Sequence, residues 1–198
     1  MAGPARSHGM RGALALLVAL ATGPAQAVET AAEAGWRLLK QQGSVALMRH
    51  ADAPGTGDPA GFRLEDCATQ RNLGPTGRAQ ATALGEAFRQ RGIAVSQVLT
   101  SQWCRARETA SLMALGPVAD APEALNSFFE RRGEQQNATA ALRRRLQALP
   151  ADAAAVVMVT HQVNITALTG IFPRSGEIVV LARDGDGNHR PVARIASR

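Results

Sequence analysis

Val45-Ala46-Leu47-Met48-Arg49-His50-Ala51 is the stretch on which the reading of this 198-residue chain turns. Four apolar residues run straight into an arginine and a histidine. A loop rich in Pro and Gly follows, through Pro54, Gly55, Gly57 and Pro59. An unbroken apolar run of this length is the pattern of a strand buried on both faces of a parallel sheet. Ligands of open α/β sheets sit beyond the carboxyl ends of the strands, so Arg49 and His50 fall where chemistry is done. A guanidinium presents a flat fork of donors that fits a phosphate, and a neutral imidazole is a nucleophile near neutral pH. A strand that merely ends in two polar residues looks the same, so the rest of the chain has to decide.

Two further stretches end in the same way. Val95 to Thr100 reads as a strand that leads through Ser101 to Arg105, and Ala154 to Thr160 as one that ends at His161. Helical spacing is predicted over Ala31 to Gln42, Thr76 to Arg91, Arg105 to Leu115 and Asn137 to Leu149, with Gly43 and Gly92 as stops. Residues 177–182 and 191–195 read as a hairpin around Asp184-Gly185-Asp186-Gly187-Asn188. That turn lacks the later ligands and closing glutamate of a calcium loop. Strands alternating with helices imply an α/β fold: a three-layer α/β/α sandwich with a mostly parallel central sheet. The irregular stretch from Asp52 to Leu73 is long enough to form a wall of a site. Two arginines and two histidines converging on one rim would make an anion pocket suited to a phosphoryl group.

Composition narrows the function further. Hydrophobic residues at 45% and charged residues at 19% are those of a globular protein. The formal net charge is +6; without Arg6 and Arg11, which lie in the leader described next, 20 basic residues face 16 acidic ones, a net +4. That mild excess favours anionic substrates. With no long basic run and 4% aromatic residues, nucleic acid is not an expected partner. Cys67 and Cys104 fit no zinc spacing, and no metal or other cofactor is expected. In an oxidising compartment the two would form one disulfide; in cytosol they would be buried thiols.

The first residues bear on that choice. Arg6, His8 and Arg11 precede the apolar run 13–21, Gly23 and Pro24 break it, and Ala25-Gln26-Ala27 fits a small-x-small cleavage site. This is the three-part pattern of a secretory signal peptide, too short to span a bilayer. The expectation is a leader over 1–27, cleaved near Ala27, and a single domain over 28–198, secreted or periplasmic and without stable membrane insertion.

Taken together, these residues resemble the histidine phosphatase superfamily, which includes phosphoglycerate mutases and acid phosphatases. An Arg-His-Gly motif ending the first strand appears as Arg49-His50-Ala51, and the Ser-x-x-x-Arg element as Ser101 to Arg105 with Thr109-Ala110 after it. The Leu-x-x-x-Gly-x-x-Gln-Ala element appears as Leu73, Gly77, Gln80 and Ala81, and the late strand as Val157 to His161. Four elements occur in the family's order between Ser44 and Gly170. The resemblance implies a phosphoglycerate mutase-like fold and a metal-independent phosphatase acting on a small-molecule or glycan phosphomonoester. His50 would carry the phosphoryl group, and Arg49, Arg105 and His161 would hold its oxygens. Arg71 is implied as a further substrate-binding residue and Glu130 as the general acid, with Asp52 and Asp66 as other candidates. Ala51 stands where the family has glycine, so its methyl is expected to tighten the pocket. The region around Trp103-Cys104-Arg105 is similar to exported members that act on lipopolysaccharide core heptose phosphates. A Cys67–Cys104 disulfide would then pin the long loop beside the pocket. The other reading is a binding protein that keeps the pocket without catalysis.

Overall fold

Strand β1 forms where the apolar run stands, over Val45–Arg49, and its side chains alternate between two cores. Ala46 and Met48 join a cluster on one face, Val45 and Leu47 a cluster on the other. This is the period of two that lets one continuous apolar run serve both sides of a sheet. The computed structural model describes Met1, Gly3 and residues 29–197; the leader expected over 1–27 otherwise lies outside the described residues.

With β2 (Val95–Thr100), β3 (Val118–Asp120), β4 (Ala155–Thr160), β5 (Ile178–Arg183) and β6 (His189–Ile195), β1 forms a sheet of order β3-β2-β4-β1-β5-β6. Strands β1 to β4 run parallel, and β5 and β6 close one edge antiparallel, as the predicted hairpin. Helices α1 (Ala31–Leu38), α2 (Pro75–Gln90) and α3 (Cys104–Met113) cover one face. Helices α4 (Pro122–Leu125), α5 (Gln135–Gln147) and α6 (Gln162–Thr169) cover the other. The three-layer α/β/α architecture is the one expected.

Two local differences have clear causes. Helix α1 ends four residues early, because Lys40 and Gln41 bond back only three residues, to Arg37 and Leu38, and tighten into a turn. Strand β3 escapes the pattern because an edge strand of three residues with no buried member carries no hydrophobic period.

Helix α2 positions the loop that follows His50. A Cβ at Gly77 would lie 1.9 Å from the Asp52 carbonyl oxygen, so only glycine lets the helix approach that backbone. One turn on, Gln80 Oε1 accepts from the Asp52 N–H at 3.0 Å. The Gly-x-x-Gln spacing is therefore a clamp on the chain leaving β1.

Candidate active site

Sheet order assembles the site. Strand β4 lies between β1 and β2, and its register sets Arg49 opposite Thr160 and Thr100 opposite Val159. The residues just beyond the three strand ends, His50, Ser101 and His161, therefore meet at one rim. All are buried, with the His50 and His161 rings 5.4 Å apart.

The His50 ring is fixed at both nitrogens. Nδ1 lies 2.8 Å from the Ala51 carbonyl oxygen, which only accepts, so the proton resides on Nδ1 and Nε2 carries a free lone pair. Arg105 Nε–H points at that lone pair from 3.3 Å. Burial, followed by the Arg105 charge, pushes the His50 pKa well below its usual 6.5, so the ring is neutral at pH 7. His161 is pushed down in the same way, by burial first and Arg105 second. Its Nε2 is 2.8 Å from Ser101 Oγ, which also receives the Trp103 N–H at 3.2 Å.

Three arginines surround this pair. Arg49 Nη1 donates to the Pro173 carbonyl at 3.1 Å, while its Nε is buried with no hydrogen-bond partner among the described residues. A buried donor left unpaired calls for an acceptor, and a phosphate oxygen supplies one. Arg105 is gripped by Asp58, an acid that sequence patterns pass over: Oδ1 accepts from Nη1 at 2.8 Å and Oδ2 from Nη2 at 3.2 Å. Asp58 also accepts from Trp103 Nε1 at 3.0 Å and from the Arg71 N–H at 3.1 Å. Burial would raise the Asp58 pKa, but the Arg105 bonds and charge outweigh it and hold the carboxylate below its usual range. Three guanidinium groups against one buried carboxylate leave about two positive charges at the base of the cavity, the complement of a phosphate dianion.

Arg71 is at the cavity but largely committed. Its Nε donates to the Gly57 carbonyl at 2.7 Å and its Nη1 to the Ala53 carbonyl, so it braces the long loop. Glu130 lines the mouth of the same cavity, exposed, and no hydrogen bond or ion pair holds its carboxylate among the described residues. Asp52 and Asp66 do not line it; Asp66 pairs with Arg63 on the surface. The Ala51 methyl does not tighten the pocket. It is fully buried in a small apolar cluster with Ala53, Leu73 and Ala81, away from the cavity wall. Among the described residues, no group of three or more His, Cys, Asp or Glu side chains is placed to hold a metal ion.

The Cys67–Cys104 disulfide is formed, 37 residues apart in sequence, and ties the long loop to the first residue of α3. Its neighbours set the site directly: Trp103 and Arg105 flank Cys104 and both bind Asp58. The Cys67–Cys104 pairing is the one expected from the sequence, whereas the Asp58–Arg105 contact joins positions 47 residues apart, which is why local pattern gave Asp58 no role. The local signal for Asp58 is a Gly-Asp-Pro turn between two arginine elements.

Residues 45–129 match the histidine phosphatase superfamily (branch 1). Among solved structures, the chain is similar to the protein histidine phosphatase SixA complexed with tungstate, at 19% identity, TM-score 0.58, over 77% of this chain and 96% of that one. It is similar also to SixA of Nakamurella multipartitia, at 23% identity, TM-score 0.57, over 78% and 95%. A mycobacterial glucosyl-3-phosphoglycerate phosphatase matches at 16% identity, TM-score 0.56, over 78% and 99%. No curated protein matches in sequence.

Proposed function

We propose that this chain, whose residues 45–129 match the histidine phosphatase superfamily, hydrolyses a phosphomonoester through a phosphohistidine at His50. The observation that carries this reading is the His50 ring: proton held on Nδ1 by the Ala51 carbonyl, lone pair on Nε2 facing Arg105. Nε2 attacks phosphorus, the P–O bond to the leaving group breaks, and the departing oxygen takes a proton from Glu130 at the mouth. Water then gives a proton back to the Glu130 carboxylate and attacks phosphorus, the N–P bond breaks, and orthophosphate leaves with His50 neutral and Glu130 protonated again. Arg49 Nε, Arg105 and His161 hold the phosphoryl oxygens, so catalysis is chiefly positioning and charge stabilisation by protein groups, with no metal step. Arg71 supports the loop and adds charge.

The leader pattern and the formed disulfide support an exported protein working in an oxidising compartment. In that setting the sequence resemblance points to a lipopolysaccharide core-sugar phosphate, whereas the aromatic wall of the cavity favours a different leaving group.

The test is turnover of an aryl phosphate by the purified protein and by His50→Ala, in the presence of a chelator. Turnover in the parent alone, with acid-labile label trapped on the protein, supports the reading. A parent that binds vanadate without turnover would instead be a phosphate-ligand binding protein.

A further inference from the structure

The cavity above His50 measures about 1070 Å³. This is just above the range, roughly 300–1,000 Å³, that holds drug-sized ligands, and far more than a phosphoryl group fills. The chain is poor in aromatic side chains, with five Phe, two Trp and no Tyr. Four of those Phe (Phe62, Phe128, Phe129 and Phe172) and Trp103 line this one cavity. The remaining two, Trp36 and Phe88, pack edge to face in the core, 5.2 Å apart.

Phe129 is 39% exposed and Phe172 66% exposed, and they come from segments on opposite sides of α5 and α6 in sequence. No single apolar run therefore explains their meeting. Exposed large apolar groups gathered at a cleft mark a binding surface. The Phe172 segment is tied to the phosphate end, since Arg49 donates to the carbonyl of the adjacent Pro173. Phe62 leans on Trp103, with ring centroids 5.9 Å apart.

Several polar groups of the lining that would read sugar hydroxyls are already engaged. Asp58 is held by Arg105, Gln162 donates to Thr166 at 2.8 Å, and Ser127 Oγ accepts from the Phe129 N–H.

We infer that the cavity takes a phosphomonoester whose leaving group carries a planar aromatic ring, stacked among Phe62, Trp103, Phe129 and Phe172. The phosphoryl end of this inference rests on the phosphatase reading above. The aromatic end rests on the cavity wall alone. Aromatic faces prefer offset or edge-on contact with other rings, which an acyclic polyol or an alkyl chain does not offer.

Calorimetric binding of three non-hydrolysable phosphonates by the purified protein tests it: 2-naphthylmethyl-, n-octyl- and 2,3-dihydroxypropylphosphonate. The naphthylmethyl compound should bind at least tenfold tighter than the dihydroxypropyl one, a difference of about 1.4 kcal/mol. The Phe129→Ser/Phe172→Ser double variant, altered only at exposed side chains, should shrink that advantage below threefold. Equal affinities, or a tighter dihydroxypropyl compound, overturn the inference and leave the phosphatase reading standing. An octyl compound as tight as the naphthylmethyl one also overturns it, in favour of a lipid-tail site. Binding of none of the three overturns both. Absence of turnover with the ranking intact would sink the phosphatase reading alone.

Discussion

Asp58 holds Arg105 end-on, its two oxygens 2.8 and 3.2 Å from Nη1 and Nη2, and this leaves Nε aimed at His50 Nε2 from 3.3 Å. The Asp58 and Arg105 side chains are 6% and 4% exposed, so the pair is shielded from water and salt. A guanidinium has many rotamers, and the fork-to-fork contact selects one.

Asp58→Asn keeps the volume but leaves Arg105 charged and buried without its counter-ion. Removing one partner of a buried pair costs about 3–5 kcal/mol, and the urea midpoint should fall accordingly. kcat/KM should drop at least tenfold, because Arg105 loses its orientation towards the phosphoryl group. A variant with parent-like rates would show that the grip is not needed for positioning.

The two site histidines set an acid limit on stability. Both have folded pKa values pushed well below the unfolded value of about 6.5. Above that value neither state binds the protons; below it, the unfolded chain takes them up first. Stability is therefore whole above about pH 6.5 and declines as pH falls, by about 1.4 kcal/mol per pH unit for each histidine, until the folded pKa is reached. Imidazole NMR titration should show His50 neutral, with its proton on Nδ1, at pH 6. An imidazolium signal at that pH would contradict the buried, neutral ring.

The disulfide closes a loop of 37 residues' separation, for which chain entropy gives about 3–4 kcal/mol. Thiol reduction, or the Cys67→Ser/Cys104→Ser pair, should lower unfolding free energy by about that amount. Activity should fall with it, since the loop carrying Asp58 is then held only by non-covalent contacts. Chemical denaturation and kcat/KM, each with and without reductant, measure the two effects.

Glu130→Gln separates leaving groups. A general acid contributes about 10²–10⁴-fold where the leaving oxygen is basic. kcat on alkyl phosphates should fall by about 10²-fold, and much less on 4-nitrophenyl phosphate, whose oxygen departs without a proton. Equal losses on both would show that Glu130 does not protonate the leaving group.

Gly77→Ala tests the clamp behind the site. Its Cβ would press on the Asp52 backbone, which has no flexible end to yield. Overpacking of this kind costs about 1–3 kcal/mol or more, and the loop after His50 must shift to accept it. Thermal unfolding and kcat should both decline; an unchanged kcat would show that the Asp52 backbone tolerates displacement.

The chain's own pattern determined the layers and the rim. Apolar runs that end in Arg49-His50 and His161 specify buried parallel strands, because only a sheet covered on both faces can bury such runs without alternation, and Val98-Leu99 leads the strand before Ser101 into the same core. The spacing of helix positions and glycine stops placed α2 and α3 to within one or two residues. The tertiary structure decided what the runs could not: that β4 lies between β1 and β2, which brings His161 beside His50. It also decided that Asp58 reaches across 47 residues to Arg105, that the Ala51 methyl turns into the core, and that Phe62, Phe129 and Phe172 share a cavity with Trp103. Periodicity encodes which face of an element is buried, a local property. Partners brought together by strand order and loop closure depend on contacts between residues far apart in the chain, and no local period records them.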